Sequence, residues 1–185
     1  KIDVPTTVLN GTHAAGKNIF NYDVDVSYTV DEAFSAKDDF ASGKFKAEES
    51  NAAQAMLAIV KKALEEDFSK YMVAGKQVKV QITGMADALP FSRTVAYDGC
   101  YGDFDQEPVH KNGELSNITV TKATGISQNE QLAYLRAMGV KNYMEQNIPE
   151  LQKMKADYDT YIEVSENKGG EYRRIGVKFT FINAF

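Results

Sequence analysis

Two strictly alternating runs, separated by a segment at helical spacing, constrain what this chain can fold into more than any other feature. Residues 23–30, Asp-Val-Asp-Val-Ser-Tyr-Thr-Val, and residues 77–83, Gln-Val-Lys-Val-Gln-Ile-Thr, each alternate as a half-buried strand does. Between them Ala53, Met56, Leu57, Val60, Ala63, Leu64 and Phe68 recur at helical spacing, while Lys61, Lys62, Glu65 and Glu66 take much of the other face. Ser50 stands where an N-cap is wanted, and Gly75 where a left-handed residue would end the helix.

The same grammar repeats toward the C-terminus. Ser127 is placed to cap a second helix whose inner face is Leu132, Leu135, Gly139, Val140, Tyr143 and Met144. Pro149 ends or breaks that helix before a short one over 150–156. A third strand over 160–165, a turn over 167–170 and a long fourth strand over 172–182 follow. Strands joined through helices predict parallel neighbours, and the last two strands predict an antiparallel hairpin. We expect an α+β fold with a mixed sheet covered by helices in the order βαβαββ. Residues 1–21 are expected as an extended lead-in and 22–185 as one domain. Within it, 88–128 is a hairpin or loop insertion, strand-like at 93–97 and 118–122, with too few apolar residues for a core of its own.

Charge and cysteine content exclude several functions. A net charge of −5 argues against a duplex-binding face, so no nucleic-acid partner is expected. One cysteine, Cys100, permits no internal disulfide. No apolar run is long enough to cross a bilayer as a helix. The opening Lys-Ile-Asp-Val-Pro lacks a signal peptide, so an export signal and an anchor or partner domain are expected outside this sequence.

Three stretches carry a family resemblance. Gly84-Met-Ala-Asp87 follows the second strand, Asn129-Glu-Gln-Leu132-Ala-Tyr-Leu-Arg136-Ala-Met-Gly-Val140 opens the second helix, and Tyr172-Arg173-Arg174-Ile175-Gly-Val177 begins the last strand. In this order they resemble the OmpA-like peptidoglycan-binding family (the OmpA C-terminal or Pal type). Its pattern is Gly-x-Thr-Asp, then Asn-x-x-Leu-Ser-x-x-Arg-Ala-x-x-Val, then Asn-Arg-Arg-Val. The resemblance covers most of one domain and departs from the pattern at Ala86, Ala133, Tyr172 and the long 88–128 insertion. It implies that Asp87 and Arg136 clamp the zwitterionic end of a diaminopimelate stem peptide, the carboxylate taking the ammonium and the guanidinium fork taking the carboxylate. It assigns Asn129 to the helix entry, Leu132 to the first apolar position, and Arg173 and Arg174 to the pocket's flank. Adjacent on a strand, those two arginines point to opposite faces, so at most one reaches the pocket. Asp87, just past a strand's carboxyl end, lies where open α/β sheets place ligands.

Other motifs point nowhere so specific. Gly11-Thr-His-Ala-Ala-Gly16-Lys17 matches most of a P-loop, but Asn18 replaces the magnesium-holding hydroxyl and a strand follows where a helix is required. Asp98, Asp103, Asp105 and Glu107 form an acidic loop without EF-hand spacing. His13 and His110 are isolated, Cys100 has no nearby histidine, and no nucleophile elbow appears. The aromatic end, 177–185, is similar to the closing strand of an outer-membrane barrel, but such a barrel needs many more strands and few helices. We therefore expect a non-catalytic module without cofactor or metal, in the periplasm or the outer-membrane-associated envelope of a Gram-negative bacterium. It would tether an envelope protein to peptidoglycan. The rival is a scaffold of the same fold that has lost wall binding and docks a protein through Phe91, Tyr97, Tyr101 and Phe104 of the insertion. What separates the two is whether the insertion covers Asp87 and Arg136.

Overall fold

In a computed structural model, the structure describes residues 6–14, 17–29 and 44–182. The fold is α+β, a mixed sheet carrying its helices on one face, as the sequence predicts. The strands are β1 (Thr6–Ala14), β2 (Lys17–Thr29), β3 (Gln77–Ala86), β4 (Phe104–Lys111), β5 (Glu114–Val120), β6 (Lys155–Val164) and β7 (Arg174–Ile182). The helices are α1 (Asn51–Lys62), α2 (Asn129–Asn147) and α3 (Pro149–Lys153). The seven strands lie in the order β1-β2-β7-β3-β6-β4-β5.

Alternation decides which face is covered. Val78, Val80, Ile82 and Ala86 of β3 are buried, while Gln77 and Lys79 face out. On β7, Ile175, Val177, Phe179 and Phe181 are buried in the same way. Register aligns these rows: Val80 sits opposite Phe179 on one side and Tyr158 of β6 on the other. Ser50 caps α1 by accepting the N–H of Ala53 at 3.1 Å, as expected. Helix α2 is capped at Gln128 rather than Ser127, and the Gln131 side-chain oxygen accepts the N–H groups of Ser127 and Gln128 at 2.8 and 3.1 Å. The last strand, barrel-like in sequence, is an inner strand of this sheet.

Several expectations need correction. The last two strands do not form a hairpin, and β2 and β3 are not neighbours. Strand β7 pairs antiparallel with both β2 and β3 and so separates those two, while β3 in turn separates β7 from β6. As an inner strand β7 satisfies backbone groups on both edges, and the 165–173 connection crosses the end of β3, bonding Ala86, Asp87 and Ala88. Strands β3 and β6, joined through α2, are parallel neighbours as predicted. The residues expected as an extended lead-in include all of β1 and the start of β2, paired as a hairpin. Gly75 has the positive φ expected of it (80°), but it sits in the turn into β3, after α1 has already passed through a wider turn over Ala63–Asp67. The insertion is continuous with the sheet: β4 and β5 form a hairpin, and β4 pairs in parallel with β6 through His110 and Lys111. Its Tyr97, Val109, Ile118, Val120 and Ile126 join the one shared core.

Gly84 fixes how close α2 comes to the sheet. A β-carbon built there would lie 1.9 Å from the carbonyl oxygen of Ala133 and 2.9 Å from the nitrogen of Ala137. The helix backbone rests on the strand, and Ala133 and Ala137 are small enough to allow it. We predict that Gly84→Ala, which forces α2 outward, destabilises the fold by about 3 kcal/mol or more. A urea midpoint unchanged from wild type would refute this contact.

Candidate functional site

The residues that resemblance singled out converge. Asp87, Asn129, Leu132, Arg136 and Arg173 line one cavity of about 230 Å³, although they come from three separate stretches of chain. The rest of its wall belongs to the insertion: Leu89, Pro90, Phe91, Ser92, Arg93 and Val95. The insertion thus forms a wall of the cavity rather than filling it.

Asp87 follows β3 directly and is 6% exposed. One carboxylate oxygen accepts the N–H of Leu89 at 3.3 Å, and the other accepts the N–H of Gly169 at 3.1 Å. The first bond is a local turn of the kind aspartate favours. The second pins the β6–β7 crossover to the end of β3, helped by Ser165 N–H to Ala86 carbonyl and Ala88 N–H to Asn167 carbonyl, both 2.9 Å. Gly169 has φ 136°, a backbone shape that suits glycine.

Arg136 is 2% exposed because α2 lies so close to the sheet. Its Nη1 donates to the Met85 carbonyl at 2.8 Å, and Nε and Nη2 donate to the Lys44 carbonyl at 3.3 and 3.0 Å. The guanidinium therefore ties the end of β3 to the segment leading into α1, besides lining the cavity. Asn129 is the first residue of α2, and its buried side-chain oxygen has no hydrogen-bond partner among the described residues. Arg173 lines the cavity, whereas Arg174 lines a separate depression with Tyr172 and Glu163. The two arginines reach opposite faces, as their adjacency requires.

The insertion's aromatic residues are occupied within the domain. Phe45 stacks edge-on against Tyr97 and Tyr101 at 5.9 Å each, and Phe104 against Tyr134 at 5.0 Å. Phe91 packs partly on the same core. Within the domain, Tyr101 at Gly139 and Phe104 at Tyr134 cover α2, and Tyr97 packs on Phe45.

The remaining motifs disperse. Gly11 to Ala14 close β1 and Lys17 opens β2, so the P-loop-like run straddles a hairpin (Ala15 and Gly16 lie outside the described residues). In the acidic loop, Asp98 bonds Lys46 at 2.6 Å, Asp103 accepts the Lys122 N–H, and Asp105 accepts the Thr119 hydroxyl. Among the described residues no three His, Cys, Asp or Glu side chains converge as a metal would need. Burial first, and then hydrogen bonding to Asp98, push the Cys100 thiol up to about 11, although the residue is exposed overall. Asp98, by contrast, is held down at about 2 by Lys46.

Sequence reasoning missed the wall supplied by 89–95 and the backbone groups that hold the clamp. Only Arg93, a charged residue six positions beyond Asp87, left a side-chain signal.

Two outcomes are expected. Arg136→Met, which strips the donor from the Lys44 and Met85 carbonyls, lowers unfolding free energy by about 3 kcal/mol. A chemical-denaturation curve matching wild type would contradict it. Cys100 alkylates near pH 8 about a hundredfold more slowly than an ordinary thiol, because its thiolate appears only toward pH 11. Ordinary alkylation rates there would show that the thiol is not suppressed.

No protein-family model matches the sequence, and no curated protein matches it significantly. Two solved structures resemble 94% of this chain. One is the periplasmic domain of MotB (residues 64–256), 12% identical, with 74% of that chain covered and a TM-score of 0.39. The other is the cell wall anchor of the T6SS from Pseudomonas aeruginosa, 14% identical, with 87% covered and a TM-score of 0.37.

Proposed function

We propose that this chain binds peptidoglycan without catalysis, gripping the zwitterionic end of a diaminopimelate stem peptide in the cavity between β3, α2 and the insertion. The observation that carries the proposal is the convergence of Asp87, Asn129, Leu132, Arg136 and Arg173 on one cavity wall. These residues match the OmpA-like motifs and come from three stretches far apart in sequence.

The chemistry is that of a small polar head group. At about 230 Å³ the space falls below the roughly 300–1,000 Å³ typical of drug-sized sites, so it suits one end of a ligand rather than a whole molecule. A carboxylate oxygen has two lone-pair directions, so Asp87 can keep its bonds to Leu89 and Gly169 and still accept from an ammonium. The unpartnered Asn129 oxygen offers a second acceptor for the same ammonium. The arginines supply the counter-charge for the ligand carboxylate. Holding Asp87 and Arg136 in place with backbone bonds removes rotamer entropy before the ligand arrives, which favours affinity. In this reading the protein works in the cell envelope, on the periplasmic side, and tethers an outer-membrane or envelope component to the wall.

Substituting either clamp residue also removes a structural bond, so the cleaner test changes the ligand. Calorimetric titration should show saturable binding of a diaminopimelate tripeptide. The matching lysine tripeptide, which lacks the side-chain carboxylate, should bind about 10- to 100-fold more weakly. Equal affinity for the two peptides, or no binding by folded protein at millimolar peptide, would overturn the proposal.

A further inference from the structure

Among the described residues, the cavity wall carries one carboxylate, Asp87, and three guanidiniums, those of Arg93, Arg136 and Arg173. A zwitterionic head group brings one ammonium and one carboxylate, which answers Asp87 and a single arginine. The positive excess is local, because the chain as a whole carries −5. Clefts lined by one sign of charge concentrate ligands of the other.

Arg93 differs from its two companions. Arg136 is buried and bonded to backbone carbonyls, and Arg173 is buried beside the start of β7. Arg93 is exposed, sits on a bend of the insertion, and makes no hydrogen bond or ion pair among the described residues. No contact in the fold requires a guanidinium at this position. Its neighbours Phe91 and Val95 pack partly on the core, which fixes the loop that presents it to the cavity.

We propose that Arg93 is a specificity-determining residue that takes a second carboxylate of the ligand, the terminal one on the peptide's main chain. The site then selects stem peptides with a free terminal carboxylate over those in which it is amidated. This rests on the peptidoglycan-binding proposal and deepens it. A guanidinium fork pairs with a carboxylate through two parallel bonds and loses that match when one oxygen becomes an amide nitrogen.

The test is titration of wild type and Arg93→Gln with two diaminopimelate tripeptides, one with a free C-terminal carboxylate and one C-terminally amidated. Amidation should weaken wild-type binding about three- to tenfold, a range suited to a pair at an exposed rim. Arg93→Gln should weaken binding of the free peptide by the same factor and erase the difference between the two peptides. If Arg93→Gln binds the free peptide as well as wild type, or still discriminates between the peptides, the inference fails and the clamp proposal stands. If folded wild type binds neither peptide, both fail together. Because Arg93 is exposed, the variant should unfold with wild-type cooperativity, and a thermal melt checks this before titration.

Discussion

The contact between the backbone of α2 and strand β3 at Gly84 sets the geometry of everything around it. With no β-carbon at Gly84 and only methyl groups at Ala133 and Ala137, the helix settles directly onto the strand. At that distance Arg136 is almost wholly buried, and its guanidinium bonds the carbonyls of Met85 and Lys44 at the edge of the cavity. Asp87 comes just past the same strand end and holds the crossover loop there. The two charged groups of the candidate clamp are thus brought near each other by a packing decision made three residues earlier in the chain. The motif spacing from glycine to aspartate has a steric cause as well as a chemical one.

The first half of helix α2 is enclosed on all sides, which explains why that stretch of its sequence carries little amphipathic signal. Ten consecutive residues, Gln131 to Val140, are buried. The sheet lies under one side, the segment before α1 contacts another, and the insertion covers a third through Tyr101 at Gly139 and Phe104 at Tyr134. A helix covered all round has no polar stripe to display. The insertion is therefore part of what makes this helix stable, since otherwise these residues would face water.

The strands with one face in the core were legible: β3 and β7 alternate because one side is covered and the other is not. Strand β4 was not, because Asp105, Gln106 and Glu107 are all exposed and its Pro108 argues against a strand. The order of strands was misread because adjacency of β6 and β7 in sequence does not fix which edges β7 pairs with, and it bonds β2 on one edge and β3 on the other. For the site, Asp87, Asn129, Leu132, Arg136 and Arg173 could be named because their spacing matched a known pattern. The backbone groups of Lys44, Met85 and Gly169 that fix the clamp carry no signature in sequence. Arg93 was passed over because a lone arginine in a loop reads as solvated until its neighbours in space are known.

The 88–128 segment leaves the domain beside Asp87 and rejoins it at Asn129, so both of its ends open on rims of the same cavity. That arrangement separates a part held by tight helix–strand packing from a loop wall under weaker packing constraint. Glycine, aspartate and buried arginine answer to the packing of α2 on β3, and few exchanges there are tolerated. The loop wall answers only to the ligand and to the cover it gives α2. Lengthening, shortening or recharging it changes what the cavity admits while leaving the helix–strand seat untouched, which gives evolution or an engineer a separate handle on selectivity.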